Sequence, residues 1–110
     1  MFFQKKEMDR QAAMAFWNWF VENEEWIILQ SKNSETAKLI AAIDAELTKV
    51  FPYARNEEIQ FLVGANHGIG TSGINEFFFF HCGKRALKRD GEVLKSMKPD
   101  SLNWTVLIEK

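Results

Sequence analysis

Four consecutive phenylalanines occupy positions 77–80, inside an aromatic-rich stretch at residues 76–82. Aromatic residues favour β-strands, and successive side chains of a strand point to opposite faces of its sheet. The stretch therefore predicts a strand that is apolar on both faces. Burying one phenylalanine side chain contributes roughly 1.5–3 kcal/mol, so a face left in water forgoes several kcal/mol. We expect the N-terminal helix, a homodimer partner or a segment absent from this chain to cover the second face, and the candidate interface residues are Phe77, Phe78, Phe79 and Phe80.

Helical spacing dominates the first half of the chain. Apolar residues between positions 9 and about 25 recur three and four apart, which predicts an amphipathic helix. Ser34 is a candidate N-cap for a second helix, which stops at Pro52 because a residue before proline disfavours the helical conformation. The short apolar run at residues 26–30 fits either a last helical turn or a brief strand. Periodicity alone does not decide between them.

The second half reads as strands around one more helix. Residues 59–63 and 76–82 are rich in β-branched and aromatic side chains and are joined by a glycine-rich loop, which predicts an antiparallel pair. A third helix is expected within residues 84–97, with Gly91 favouring a break or a late start. Residues 104–108 predict a final strand. The order α-α-β-β-α-β over residues 1–110 predicts a single α+β domain, a two-layer sandwich of helices on an antiparallel sheet, ferredoxin-like in its latter part.

Charge and cysteine content narrow the class of protein. The net charge of −1 gives no overall field toward nucleic acid or an anionic membrane. The single cysteine, Cys82, has no partner for an internal disulfide, which favours a reducing compartment. No stretch approaches the roughly 18 apolar residues of a membrane span, and the N-terminal residues lack the order typical of a secretory signal. We expect a cytoplasmic protein that is not embedded in a membrane.

The chemical motifs of the chain point away from a catalytic or cofactor site. Residues 68–73 match G-x-G-x-x-G, but a strand follows them rather than the helix that receives a dinucleotide phosphate, so a hairpin loop is expected. His81 and Cys82 are neighbours on a strand and point to opposite faces, and a zinc site needs further ligands. We expect no cofactor, metal or catalytic residue. The alternative is a small enzyme or sensor with an aromatic-lined pocket, for which the candidate residues are Trp17, Trp26 and His67.

Basic residues concentrate in the segment 84–98, which holds six lysines and arginines against two acids. Cations beside an aromatic strand are typical of nucleic-acid binding, because phosphates attract cations and bases stack on rings. The strand lacks the RNP1 pattern, however, and a charged helix face usually only keeps a protein soluble. Nucleic acid is therefore the less favoured partner, and the candidate anion contacts are Lys84, Arg85, Lys88 and Arg89.

The aromatic run at residues 16–25 of the first helix, FWNWFVENEE, is distinctive. It resembles the N-terminal W-x-W-F-x-x-N-E-type motif of a family of small bacterial proteins that has no established activity. The order of a second helix ending near a proline, a strand pair, a helix and a strand containing a tryptophan is also similar. The resemblance implies an α+β fold and a bacterial cytoplasmic origin, and it transfers no catalytic residue.

The leading functional hypothesis follows from the two-sided apolar strand and the absence of a coherent catalytic set. We expect a non-enzymatic protein-interaction or ligand-binding module that self-associates through its sheet. A homodimer partner or another protein partner is the expected ligand of that sheet.

Overall fold

The computed structural model describes residues 7–32, 36–64 and 75–110, and its elements confirm the α+β class. The predicted cap Ser34 and the candidate pocket residue His67 lie outside the described residues. The apolar run at residues 26–30 belongs to a helix, so the described part of the chain contains one helix more than the predicted order. In chain order the elements are α1 (Arg10–Glu22), α2 (Glu24–Lys32), α3 (Thr36–Val50), a 3-10 turn (Asn56–Glu58), β1 (Gln60–Gly64), β2 (Asn75–Phe80), α4 (Arg85–Ser96) and β3 (Trp104–Glu109).

The sheet is mixed, in the order β1-β2-β3. β2 pairs antiparallel with β1, as predicted, and parallel with β3, which a purely antiparallel sheet does not contain. The reason is the helix between them, because a crossover returns the chain to the end of the sheet from which β2 started. In a split β-α-β unit another strand separates the two parallel strands. Here β2 and β3 are direct neighbours, so the ferredoxin-like expectation is wrong in this respect.

Two polar residues define the ends of α1. Asp9 Oδ1 accepts a hydrogen bond from the Ala12 N–H at 3.0 Å, which satisfies a donor that the first helical turn leaves unpaired. At the other end, the side-chain amide of Asn23 donates to the Trp19 carbonyl at 2.8 Å, and its own N–H donates to the same oxygen at 3.0 Å. Asn23 therefore ends α1, and α2 begins one residue later.

The core lies between the helices and one face of the sheet, which we call the inner face. Phe77 contacts the rings of Phe16, Trp17 and Phe20 on α1, at centroid distances of 5.9, 6.3 and 6.0 Å. Phe79 stacks on Phe51 at 5.1 Å. Two of the four candidate interface phenylalanines are thus buried inside the protein.

The aromatic motif of α1 and α2 joins distant parts of the chain. Trp17 Nε1 donates to the Leu94 carbonyl of α4 at 2.9 Å, and Glu24 Oε2 accepts from Trp104 Nε1 at 2.7 Å. Because indole N–H groups need an acceptor when buried, these two bonds fix α4 and β3 against the N-terminal helices. The motif therefore has a structural role.

The helix α4 continues through Gly91, so the predicted break or late start is wrong. A Cβ atom at this position would lie 3.0 Å from Phe79 Cδ2 and 3.5 Å from Ile108 Cγ2. The glycine allows α4 to approach β2 and β3 closely. Among the described residues, no helix is both long and apolar enough to cross a lipid bilayer.

Candidate functional site

The second face of the sheet, which we call the outer face, carries an apolar patch. The strand register places Leu62, Phe78 and Leu107 side by side in one row across the three strands. Phe80 lies in the next row, and its ring is nearly parallel to that of Phe78, at a centroid distance of 6.2 Å and an angle of 7°. Leu62 is 55% exposed, while the other three side chains are half-buried.

Helices of the described ranges pack on the inner face only. α1 and the residues that follow α3 contact Phe77 and Phe79, and α4 approaches the same face at Gly91. The outer-face side chains flank these residues along β2 and point the opposite way. The outer face therefore retains the apolar character that the four phenylalanines indicate, and no described helix covers it.

A separate cleft of about 700 Å³ opens between the loop after α3 and the first turns of α4. We call it the Tyr53 cleft. Arg89 and Glu7 also line an adjacent cleft of about 520 Å³. Both cleft volumes are typical of small-molecule sites. The lining residues of the Tyr53 cleft are Glu7, Tyr53, Ala54, Glu58, Lys84, Arg85, Ala86, Leu87 and Arg89.

Tyr53, Asp90 and Arg89 form a hydrogen-bonded group at the wall of this cleft. Tyr53 Oη donates to Asp90 Oδ2 at 2.6 Å, and Arg89 donates through Nε and Nη2 to the two carboxylate oxygens at 2.9 and 3.1 Å. Asp90 is 4% exposed, so both partners satisfy a buried charge. Burial, followed by the bond to Asp90, raises the pKa of Tyr53 above its ordinary value. The phenol stays protonated and holds the carboxylate in place.

Three cations lie at the mouth of the cleft, and they differ in whether an acid of the described ranges is paired with them. Lys84 Nζ lies 2.9 Å from Glu58 Oε2, and Arg89 is held by Asp90. The Arg55 N–H and then Lys84 hold the pKa of Glu58 below its usual value. Arg85, at the first position of α4, makes no ion pair with any residue of the described ranges.

The structure brings together only some of the site residues that the sequence predicts. Trp17 is 1% exposed and belongs to the core, Trp26 is half-buried on α2, and neither lines the Tyr53 cleft. Of the four candidate anion contacts, Lys84, Arg85 and Arg89 come together at that cleft, whereas Lys88 is exposed and does not line it.

His81 and Cys82 do not form a reactive pair. His81 is buried, and its Nδ1 accepts a hydrogen bond from the Gly83 N–H at 3.0 Å. Cys82 is exposed in a left-handed turn, with φ of 54°. The described residues contain no group of three or more side chains that could hold a metal ion.

Sequence reasoning missed Tyr53 and Asp90. One signal was present for the aspartate, because Leu87, Asp90 and Leu94 recur three and four apart and therefore share the buried face of α4. A carboxylate on an apolar helix face requires a partner. The identity of that partner was not readable, because Tyr53 lies 37 residues away in the chain.

Comparison with models of known protein families, with curated proteins and with solved structures finds no match. The resemblance of the helix motif to a bacterial family therefore stays a prediction.

Proposed function

We propose that this protein is a non-enzymatic interaction module whose outer face binds a second copy of the chain. The observation that carries the proposal is the row of Leu62, Phe78 and Leu107, which no helix of the described ranges covers, with the Phe80 ring stacked beside it. Apolar sheet faces pack well against other sheets at a separation of about 10 Å. A second copy supplies such a sheet with the same dimensions.

The pattern of the outer face is self-complementary about a two-fold axis that runs along β2. Such an axis places Phe78 and Phe80 against the same residues of the partner, and Leu62 opposite Leu107 of the partner. In the row of Phe80, the neighbours across the sheet are Gln60 and Glu109. The same axis brings these two opposite each other, so that an amide donor meets a carboxylate acceptor.

The size of the face predicts weak, reversible association. Three strands about 4.8 Å apart, rising about 3.4 Å per residue over five residues, give a footprint of roughly 14 by 17 Å. Stable interfaces bury at least about 1,200 Å² in total, which this footprint does not reach. We therefore expect a dissociation constant in the micromolar range or weaker.

Sedimentation velocity over a micromolar to near-millimolar concentration series tests the proposal. We expect Leu62→Lys to weaken dimerisation by at least about tenfold, because both copies lose an apolar contact worth roughly 1.5–3 kcal/mol. Ile40→Lys is the matched control, because Ile40 is 53% exposed and lies on α3 rather than on the sheet. A monomer at every concentration, or equal loss in both variants, would contradict the proposal.

A charge pair tests the orientation of the two sheets. Gln60→Glu is expected to weaken the dimer, because it places a second carboxylate opposite Glu109 of the partner. Adding Glu109→Gln to that variant exchanges the two groups and is expected to restore the original affinity. If the double variant dimerises no better than Gln60→Glu, the two-fold axis does not run along β2.

A further inference from the structure

We infer that the Tyr53 cleft is a binding site for a small organic carboxylate, separate from the outer face. The cleft lies between the Tyr53 loop and α4, whereas the outer face lies on the far side of the sheet from all described helices. Its volume of about 700 Å³ accommodates a ligand of modest size. The charges and the shape of the lining decide the class of ligand.

Arg85 is the lining cation that is open to an anionic ligand. Lys84 is paired with Glu58 and Arg89 with Asp90, so the charges of these two cations are offset. Arg85 makes no ion pair with a residue of the described ranges, which leaves its guanidinium open to a carboxylate. A guanidinium offers two parallel N–H donors that match the two oxygens of a carboxylate. A phosphate dianion would leave one negative charge without a partner in this lining.

The remaining lining favours an apolar body attached to that carboxylate. Ala54 and Ala86 are half-buried and supply the non-polar part of the wall, and the ring of Tyr53 stands beside them. Such a combination of an apolar wall with a few convergent polar groups is typical of small-molecule sites. The ligand class is therefore a carboxylate carrying a small aromatic or aliphatic group.

Asp90 positions the polar wall of the site. Its carboxylate binds Arg89 through two hydrogen bonds and Tyr53 through one, so both side chains are held before a ligand arrives. Preorganised groups lower the entropy that binding must overcome. Because the phenol proton is directed at Asp90, the Tyr53 oxygen is left to accept a hydrogen bond from a ligand.

Sodium benzoate is a suitable probe, titrated at constant ionic strength and followed by ¹H–¹⁵N correlation spectra of the full chain. We expect saturable shifts at millimolar benzoate that are confined to Ala54 and residues 84–89. Benzamide, the neutral analogue, and inorganic phosphate are expected to bind at least about tenfold more weakly than benzoate. Benzamide lacks the negative charge, and phosphate lacks the apolar body. Absence of saturable shifts, or phosphate binding more tightly than benzoate, overturns the inference.

Two variants on the same helix test the role of Arg85. Arg85→Gln is expected to weaken benzoate by at least about tenfold, since it removes a charge-assisted contact. Lys88→Gln removes the same charge from an exposed position outside the cleft, and we expect a change below about twofold. Circular dichroism verifies that both variants are folded. Equal weakening by the two variants indicates a general field of the basic segment and overturns the site.

Discussion

Replacing Gly91 by alanine sets local helix propensity against tertiary packing. In an exposed helix interior the change from glycine to alanine stabilises by about 0.8–1.0 kcal/mol. Here the new Cβ would lie 3.0 and 3.1 Å from two ring carbons of Phe79, closer than the optimum of about 3.5–4.0 Å between carbon atoms. The ring cannot move away easily, because it stacks on Phe51 in the core. Overpacking of this kind costs about 1–3 kcal/mol.

The two contributions leave a net destabilisation of about 0–2 kcal/mol for Gly91→Ala. Urea unfolding followed by tryptophan fluorescence measures it. A double-mutant cycle with Phe79→Leu isolates the packing contribution, because the smaller side chain removes the ring carbons that the Cβ meets. In the Phe79→Leu background we expect the same alanine to stabilise by up to about 1 kcal/mol. If Gly91→Ala stabilises the otherwise unchanged protein by that full amount, the close approach of α4 to the sheet is not a constraint.

Two further predictions concern polar contacts. Tyr53 is the only tyrosine of the chain, so the absorbance of tyrosinate reports its titration alone. The pKa of Tyr53 is higher in the folded protein than in the unfolded chain. The protonated phenol therefore stabilises the fold below pH about 10, and this stabilisation is lost as the pH rises from there toward the folded pKa. We expect no tyrosinate in the native protein at pH 10, and we expect Tyr53 to titrate at a lower pH in Asp90→Asn. A titration midpoint at the ordinary tyrosine pKa in the unchanged protein would contradict the burial of Tyr53. Glu24→Ala leaves the buried Trp104 N–H without its acceptor, at a cost of about 1–3 kcal/mol in urea unfolding, whereas Ala at exposed Glu25 should change stability by under about 0.5 kcal/mol.

The four phenylalanines of β2 are divided between the two faces of the sheet. Alternation along a strand is a property of backbone geometry, so their division between two faces was predictable from their positions alone. Which pair would be buried was not predictable. Phe77 and Phe79 face inward because α1 and Phe51 pack against them, and those contacts join residues far apart in the chain.

The Tyr53 cleft also combines a feature that was predictable from the sequence with one that was not. Three of the basic residues that line it were recognisable as a charged group, because they lie within six positions of one another. Its wall depends on Tyr53 meeting Asp90, and the two are separated by 37 positions. Only the packing of α4 beside the loop after α3 brings them together.

By itself the sequence determined the α+β class, most of the helices and strands, and the two-sided character of β2. These features follow from side-chain spacing and turn residues, which act over a few positions of the chain. The tertiary structure decided that β3 runs parallel to β2, that α4 passes unbroken through Gly91, and that Phe78 and Phe80 occupy the outer face. Each of these outcomes depends on contacts between elements distant in sequence, and such contacts override local preferences of about 1 kcal/mol.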